Sequence, residues 1–218
     1  MSKIVWDASG KHFYETGVSK GVLYPMSDTP GEYANGVAWN GLSSVSESPE
    51  GAEPNAIYAD DIKYLNILSV EEFKATIEAY TYPDEFAACN GEAELVAGSG
   101  IYIGQQTRKG FGLCYQTKIG NDLTPDAGYK IHIVYGCLAA PTEKSYETVN
   151  DSPDAMTMSW EISTTPVDVA GFKPTAYLVI DSTKCEAQKL KSVEDKLYGG
   201  DSSEPTLLLP DEIAALLK

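Results

Sequence analysis

His12 and His132 are the only two histidines in this 218-residue chain, and so its only side chains that ordinarily titrate near neutrality. Neither stands at a spacing that makes a catalytic pair. His132 lies inside the run Tyr129-Lys130-Ile131-His132-Ile133-Val134, where a structural histidine with both nitrogens satisfied is the expectation. His12 has no acid–base partner at a recognisable spacing. The sequence has no His-Glu-x-x-His helix or phosphate loop. Gly98-Ser99-Gly100-Ile101-Tyr102-Ile103-Gly104 is one residue too long for a dinucleotide fingerprint, and no helical pattern follows it. The adjacent carboxylates Asp60-Asp61, Glu71-Glu72 and Asp84-Glu85 have the chemistry of a glycosidase pair. In a chain with 32 acidic residues, solvated faces and helix starts account for them at less cost. The acidic loop 121–126 lacks EF-hand spacing. Cys89, Cys114, Cys137 and Cys185 are too far apart in sequence for a Cys-x-x-Cys metal or redox site, and read as reduced thiols. Asn150-Asp151-Ser152 is a glycosylation sequon with meaning only in an exported chain. The expectation is no enzyme, no cofactor and no metal.

Charge narrows the partners. Sixteen basic residues face 32 acids, a net charge of −16. Arg108 is the sole arginine, and Arg108-Lys109 the only adjacent basic pair. Nucleic-acid binding needs clustered cations against the phosphates, so none is expected. The acid excess is concentrated in residues 1–107, with 5 bases against 16 acids, while 108–218 hold 11 against 16. Apolar runs stay far below the ~18 residues of a membrane span. The opening Met1-Ser2-Lys3-Ile4-Val5-Trp6-Asp7 lacks the apolar stretch of a secretory signal, so neither membrane nor export is expected.

The elements that would position any site are mostly strands. Residues 72–80 alternate, with Phe73, Ala75, Ile77 and Ala79 on one face and Glu72, Lys74, Thr76 and Glu78 on the other. Residues 111–119 set Phe111, Leu113, Tyr115, Thr117 and Ile119 on one face, 129–138 read as a buried strand, and 156–164 alternate around Met156, Met158, Trp160 and Ile162. Shorter strands are expected at 3–7, 11–15, 20–24, 42–47, 62–68 and 175–180. Three helices are expected: a short one from Pro83 to Asn90-Gly91, one over about 183–197, and one after Leu209. The fold class is therefore mainly β, an antiparallel sandwich or barrel with a flanking helix. It occupies residues 1–198, with 199–218 as a linker and short helix able to act as an assembly arm. Residues 31–61 are long, acidic and rich in Gly and Pro, yet carry Tyr33, Trp39 and Tyr58. A loop of that length with aromatics but no core of its own is expected to be buried by a neighbour.

Several segments resemble one family in chain order. These are Gly36-Val37-Ala38-Trp39-Asn40-Gly41-Leu42, Ser48-Pro49-Glu50-Gly51-Ala52-Glu53-Pro54, Ile77-Glu78-Ala79-Tyr80-Thr81-Tyr82-Pro83-Asp84-Glu85-Phe86, Gly104-Gln105-Gln106, 111–122, Gly128-Tyr129-Lys130-Ile131-His132, Asn150-Asp151-Ser152-Pro153 and Leu209-Pro210-Asp211-Glu212-Ile213. Together they resemble the major tail (tail tube) protein of siphophage-type long-tailed bacteriophages. The resemblance implies a tail-tube β-sandwich, similar to the tube of type VI secretion, that joins into homohexameric rings stacked into a genome conduit. It implies a virion protein, present in the host cytoplasm during assembly. Its partners would be other copies of itself and the tail-tip initiator, tape measure and terminator, with DNA passing through unbound. On this reading Tyr33, Trp39, Glu50, Glu53, Tyr58, Asp60 and Asp61 belong to contacts between subunits or rings. The alternative for the aromatics is packing under their own segment. Glu72 and Glu78 are candidate lumen acids. A carbohydrate-binding β-sandwich is the alternative function.

Overall fold

A computed structural model describes residues 3–29, 31–148, 151, 155–200 and 203–218; the sequon at Asn150 lies outside them. The strands are β1 (Tyr14–Pro25), β2 (Val37–Ala38), β3 (Leu42–Glu47), β4 (Pro54–Ala59), β5 (Ile62–Leu68), β6 (Lys74–Ala79), β7 (Ala93–Glu94), β8 (Tyr102–Ile103), β9 (Phe111–Gly120), β10 (Gly128–Ala139), β11 (Met158–Thr164) and β12 (Tyr177–Asp181). The helices are α1 (Phe86–Cys89), α2 (Ala187–Leu197) and α3 (Pro210–Leu217). The fold is mainly β, as the patterning predicts.

Seven strands run in the order β2-β1-β9-β10-β11-β6-β3, all antiparallel, and β12 makes the eighth by pairing with β10. The strand β10 serves two layers. Its first half lies between β9 and β12, with Ile131 opposite Ile180, and its last residues pair with β11, with Ala139 opposite Ile162. Between the halves Gly136 adopts φ +57°, and a Cβ there would sit 2.3 Å from the Thr165 carbonyl oxygen. Only glycine permits that approach, so the strand changes partners there.

One core fills the space between the layers: Leu23, Phe111, Leu113 and Val134 from one side, Ala75, Ile77, Trp160 and Ile162 from the other. Trp160 is its hub, with ring centroids 5.2 Å from Phe86, 5.6 Å from Tyr82 and 5.9 Å from Trp39. Its buried indole N–H donates to Asn90 Oδ1 at 3.1 Å, which satisfies a donor that would otherwise be costly to bury. A second core lies on the opposite face of β1, β9, β10 and β12. There Tyr24, Cys114, Ile131, Ile133 and Tyr135 meet Leu190, Val193 and Leu197 of α2, with Leu207, Leu208 and Ile213. Strand β9 is thus covered on both faces, more than its alternation implies.

Several boundaries depart from expectation. No strand forms at 3–7, where Ile4, Val5 and Trp6 are exposed with nothing to pair against. The N-terminal segment is instead tied at Asp122, whose carboxylate accepts from Gly10 N at 2.9 Å and His12 N at 3.4 Å. Helix α2 begins at Ala187, after Asp181 has taken the Thr183 amide in a turn. The 203–218 stretch of the segment expected as an arm lies against its own body: Leu207, Leu208 and Ile213 are buried, and Glu212 returns to accept the Leu209 amide at 2.8 Å. It belongs to the second core because its three apolar residues have a sheet face to cover.

Candidate assembly surface

Two constellations stand out from the fold, one polar and one apolar. The polar one joins the layers. The Glu47 Oε1 atom accepts from the Tyr115 hydroxyl at 2.6 Å and the Tyr177 hydroxyl at 2.7 Å, with His132 Nδ1 at 3.4 Å. Each hydroxyl has one proton and both go to Glu47, so His132 Nδ1–H donates to the Tyr177 oxygen at 2.6 Å. The other ring nitrogen of His132 lies 2.9 Å from Thr117 Oγ1. His132 stacks on Tyr115 at 4.7 Å, and Phe73 on Tyr177 at 4.6 Å. The His132 contact, assisted by the two tyrosines, holds the Glu47 carboxyl down at about 2, against the effect of its partial burial. Such a carboxylate is a poor proton carrier near neutral pH. The arrangement is a cross-layer pin, and it meets the expectation of a structurally satisfied His132.

The apolar constellation is the hairpin β4–β5. Ala59 pairs with Ile62, and the two residues between them, Asp60 and Asp61, have φ of +49° and +61°, as a two-residue type I′ turn requires. The hairpin is closed at its base by the Glu50–Glu72 bridge, by Lys74 Nζ on Glu50 Oε2 at 2.6 Å, and by Glu53 N on Ser69 Oγ at 3.1 Å. Gly51, at φ +92°, lets the Val70 carbonyl approach to where a Cβ would be. Beyond that base none of the described residues covers the hairpin. Ile57, Tyr58, Ile62, Tyr64, Leu65, Ile67 and Leu68 are all exposed, Tyr58 at 69% and Leu68 at 66%. The pairs Ile57–Leu65 and Asn55–Ile67 put apolar groups on one face; Pro54–Leu68 and Tyr58 put them on the other. An isolated two-stranded hairpin is marginal in water, and apolar patches of this kind mark interaction sites.

Six of the sequence-nominated interface and lumen residues therefore meet on one hairpin: Glu50, Glu53 and Glu72 at its base, Tyr58 along it, and Asp60 and Asp61 at its tip. Two do not. Trp39 is 3% exposed, stacked at 4.7 Å on Phe86, and donates through Nε1 to Thr81 O at 2.9 Å. Tyr33 is half-buried beside the second core and its hydroxyl accepts the Gly136 amide at 2.9 Å. Both anchor their own segment instead of a neighbour, because 31–41 turns back to pair with β1 as β2 and continues into β3. The part that projects is 50–72, not 31–61. Glu78 lies on the outer face of β6, half-buried, and accepts from Ser44 Oγ at 2.8 Å. In register with it that face presents Ser44, Ser46, Lys74, Thr76, Ser159, Glu161 and Ser163.

A second exposed hairpin, β7–β8, was not foreseen. Glu94 accepts the Gly98 and Gly100 amides, both at 2.9 Å, which fixes its loop, and Leu95, Val96, Ile101 and Tyr102 stand in solvent. The Gly-x-Gly spacing that fails as a dinucleotide loop is the visible trace of it. A groove of about 430 Å³ between β12 and α3 is lined by aliphatic side chains, Leu178, Ile180, Ile213 and Leu217 among them. Among the described residues no cluster of His, Cys, Asp or Glu could hold a metal ion, and no helix is long and apolar enough to cross a membrane.

No protein-family model and no curated protein sequence matches the chain. Among solved structures it is similar to a chain of the anti-feeding prophage baseplate determined by cryo-electron microscopy with 6-fold symmetry. The TM-score is 0.36 and the identity 9%, over 83% of this chain and 97% of that one. A likeness that distant carries no inference here about function.

Proposed function

We propose that this chain is a structural virion protein that self-assembles into stacked hexameric rings, forming the tail tube of a siphophage-type bacteriophage through which the genome reaches the host. The observation that carries the reading is the β4–β5 hairpin, tied at its base by the Glu50–Glu72 bridge and apolar on both faces, with no core among the described residues to cover it. A subunit waiting for its neighbour has that property. The run of family-like segments noted in the sequence supports the same reading independently. Catalysis has no part in it, and the partners are further copies of the chain together with the initiator, tape measure and terminator of a tail. The protein would reside in the virion, after assembly in the host cytoplasm.

The hydroxyl- and acid-bearing outer face of β3, β6 and β11 suits the lumen on this reading, with Glu78 facing the channel and Glu72 near its rim. Phosphates are repelled by such a surface over the ~8 Å screening length of physiological salt, so DNA slides without sticking. Negative-stain electron microscopy of the purified chain, paired with light scattering, tests the proposal. Rings or tubes with a central channel are expected. A monomer at all concentrations that binds glycans in an array would overturn it in favour of a carbohydrate-binding sandwich.

A further inference from the structure

We propose that the acidic tip of the β4–β5 hairpin, Asp60–Asp61, docks on the Arg108–Lys109 pair of a second copy of this chain, locking copies head to tail. The inference rests on the assembly reading and specifies which surfaces meet.

Topology separates the two charged sites within one chain. The hairpin leaves the sandwich where β3 finishes and β6 begins. Strand β6 then spans roughly 17 Å at about 3.4 Å per residue. From its far end the chain enters α1, to which the basic segment is tied: Lys109 N donates to Ala88 O at 3.1 Å and Gln106 N to Gly91 O at 3.0 Å. Arg108 reaches Ala139, whose partner Ile162 pairs in turn with Ala75, so the basic pair lies against the body of the sandwich while the acidic tip stands at the far end of the projecting hairpin. Among the described residues neither Asp60 nor Asp61 takes part in an ion pair.

The basic pair combines a half-buried Arg108 with an exposed Lys109. Arg108 donates through Nη1 to Ala139 O at 3.1 Å, and no carboxylate among the described residues lies within ion-pair distance of it. Its guanidinium carries five donors in a planar fork that matches a carboxylate. Lys109 holds Asp28 at 2.7 Å, an exposed pair that exchanges at little cost. Apolar surface accompanies charge on both sides: Tyr58, Tyr64 and Ile62 stand beside the acidic tip, and Leu95, Ile101 and Tyr102 of β7–β8 precede the basic pair.

The tip also carries more charge than its turn needs. A type I′ turn requires left-handed backbone, which neutral Asn-Gly supplies without setting two carboxylates side by side. A cation from a neighbour relieves that repulsion. Tip-to-tip pairing of two hairpins, the isologous alternative, would bring four carboxylates together. Because the two surfaces differ, the contact is heterologous and propagates from copy to copy instead of closing as a two-fold dimer.

The test is a charge exchange read by light scattering and electron microscopy. Arg108→Glu alone, and Asp60→Lys with Asp61→Gly (the glycine keeping the turn), should each raise the concentration needed for assembly about tenfold or more, since like charges then face each other. An equimolar mixture of the two variants should assemble again, because each tip then meets an opposite charge. Restoration on mixing also shows that both variants are folded. Wild-type assembly that neither variant disturbs, or variants that fail singly and stay unassembled when mixed, would overturn the pairing while leaving self-assembly standing. A wild-type chain that never assembles would remove the assembly reading itself, and this contact with it.

Discussion

The Tyr115 hydroxyl donates to Glu47 Oε1 at 2.6 Å across the gap between the two layers of the sandwich. With Tyr177 and His132 it makes Glu47 a charged tie between β3 and the strands β9, β10 and β12. That tie has a pH signature. The carboxyl lies at about 2 in the folded chain against an ordinary 4.5. Its contribution to stability is fully present above pH 4.5 and is lost as the pH falls from there through about 2. Urea unfolding as a function of pH should show this decline. Glu47→Gln should flatten that part of the profile, and at neutral pH should cost roughly 1–2 kcal/mol, as replacing a partly exposed charged acceptor does.

Trp39 separates a core residue from an interface residue. Trp39→Ala should destabilise the monomer by about 3–5 kcal/mol, the usual cost of removing a large buried aromatic. Denaturant titration at a concentration too low for assembly gives that number. No change in monomer stability would return Trp39 to the interface.

The hairpin should behave in the opposite way. Tyr64→Ser with Leu68→Ser changes two exposed side chains. Monomer stability should stay within about 0.5 kcal/mol of wild type. Assembly, followed by sedimentation, should be lost. A variant that polymerises normally would mean that the apolar faces are not covered by a second copy.

Thiol chemistry reports on the two cores. Cys89, Cys114 and Cys137 are buried, and burial pushes the Cys89 and Cys114 thiols up to about 12 and Cys137 higher still. Only Cys185 is partly exposed. A thiol-reactive chromophore at pH 8 should therefore modify one cysteine in the native chain and four after unfolding, because the thiolate is the reactive form.

What the sequence disclosed depended on how many sides of an element are covered. Strand β6 was legible because water touches one face, and the alternation of Ala75, Ile77 and Ala79 with Lys74, Thr76 and Glu78 records that. Strand β9 has a core on each side, so its alternation showed only one of them. Strand β4 was missed: Pro-Asn-Ala is a weak strand former, and it is held by its partner β5 and the Asp60–Asp61 turn, not by propensity. Residues 3–7 show the converse, strand-like types with no edge to join. Among the residues nominated for contacts, Tyr58, Asp60 and Asp61 were singled out by their place in a long segment without a core, and the structure sets them on the exposed hairpin β4–β5. Trp39 and Tyr33 were misplaced by the same logic, since aromatic type does not reveal that β2 brings them back to β1. Arg108 was visible only as the one arginine of an acidic chain, and its place against Ala139 and Gly91 emerged only with the fold.

The dependence of β10 on three partners sets a timetable for synthesis. Strand β1 has to wait for β9, nearly a hundred residues later, and β10 for β11 and β12 after that. By the time residue 72 has been made, the hairpin β4–β5 has both its strands, while the sheet that will anchor it is still unmade. Long-range pairing of this kind is slow, and partly made chains that expose apolar strands are the species that aggregate. Neighbouring nascent chains on one messenger would each present Ile57, Tyr64 and Leu68 before a folded subunit exists to receive them. The excess of acid in the first 107 residues then acts in time as well as space, keeping unfinished chains apart until the sandwich closes.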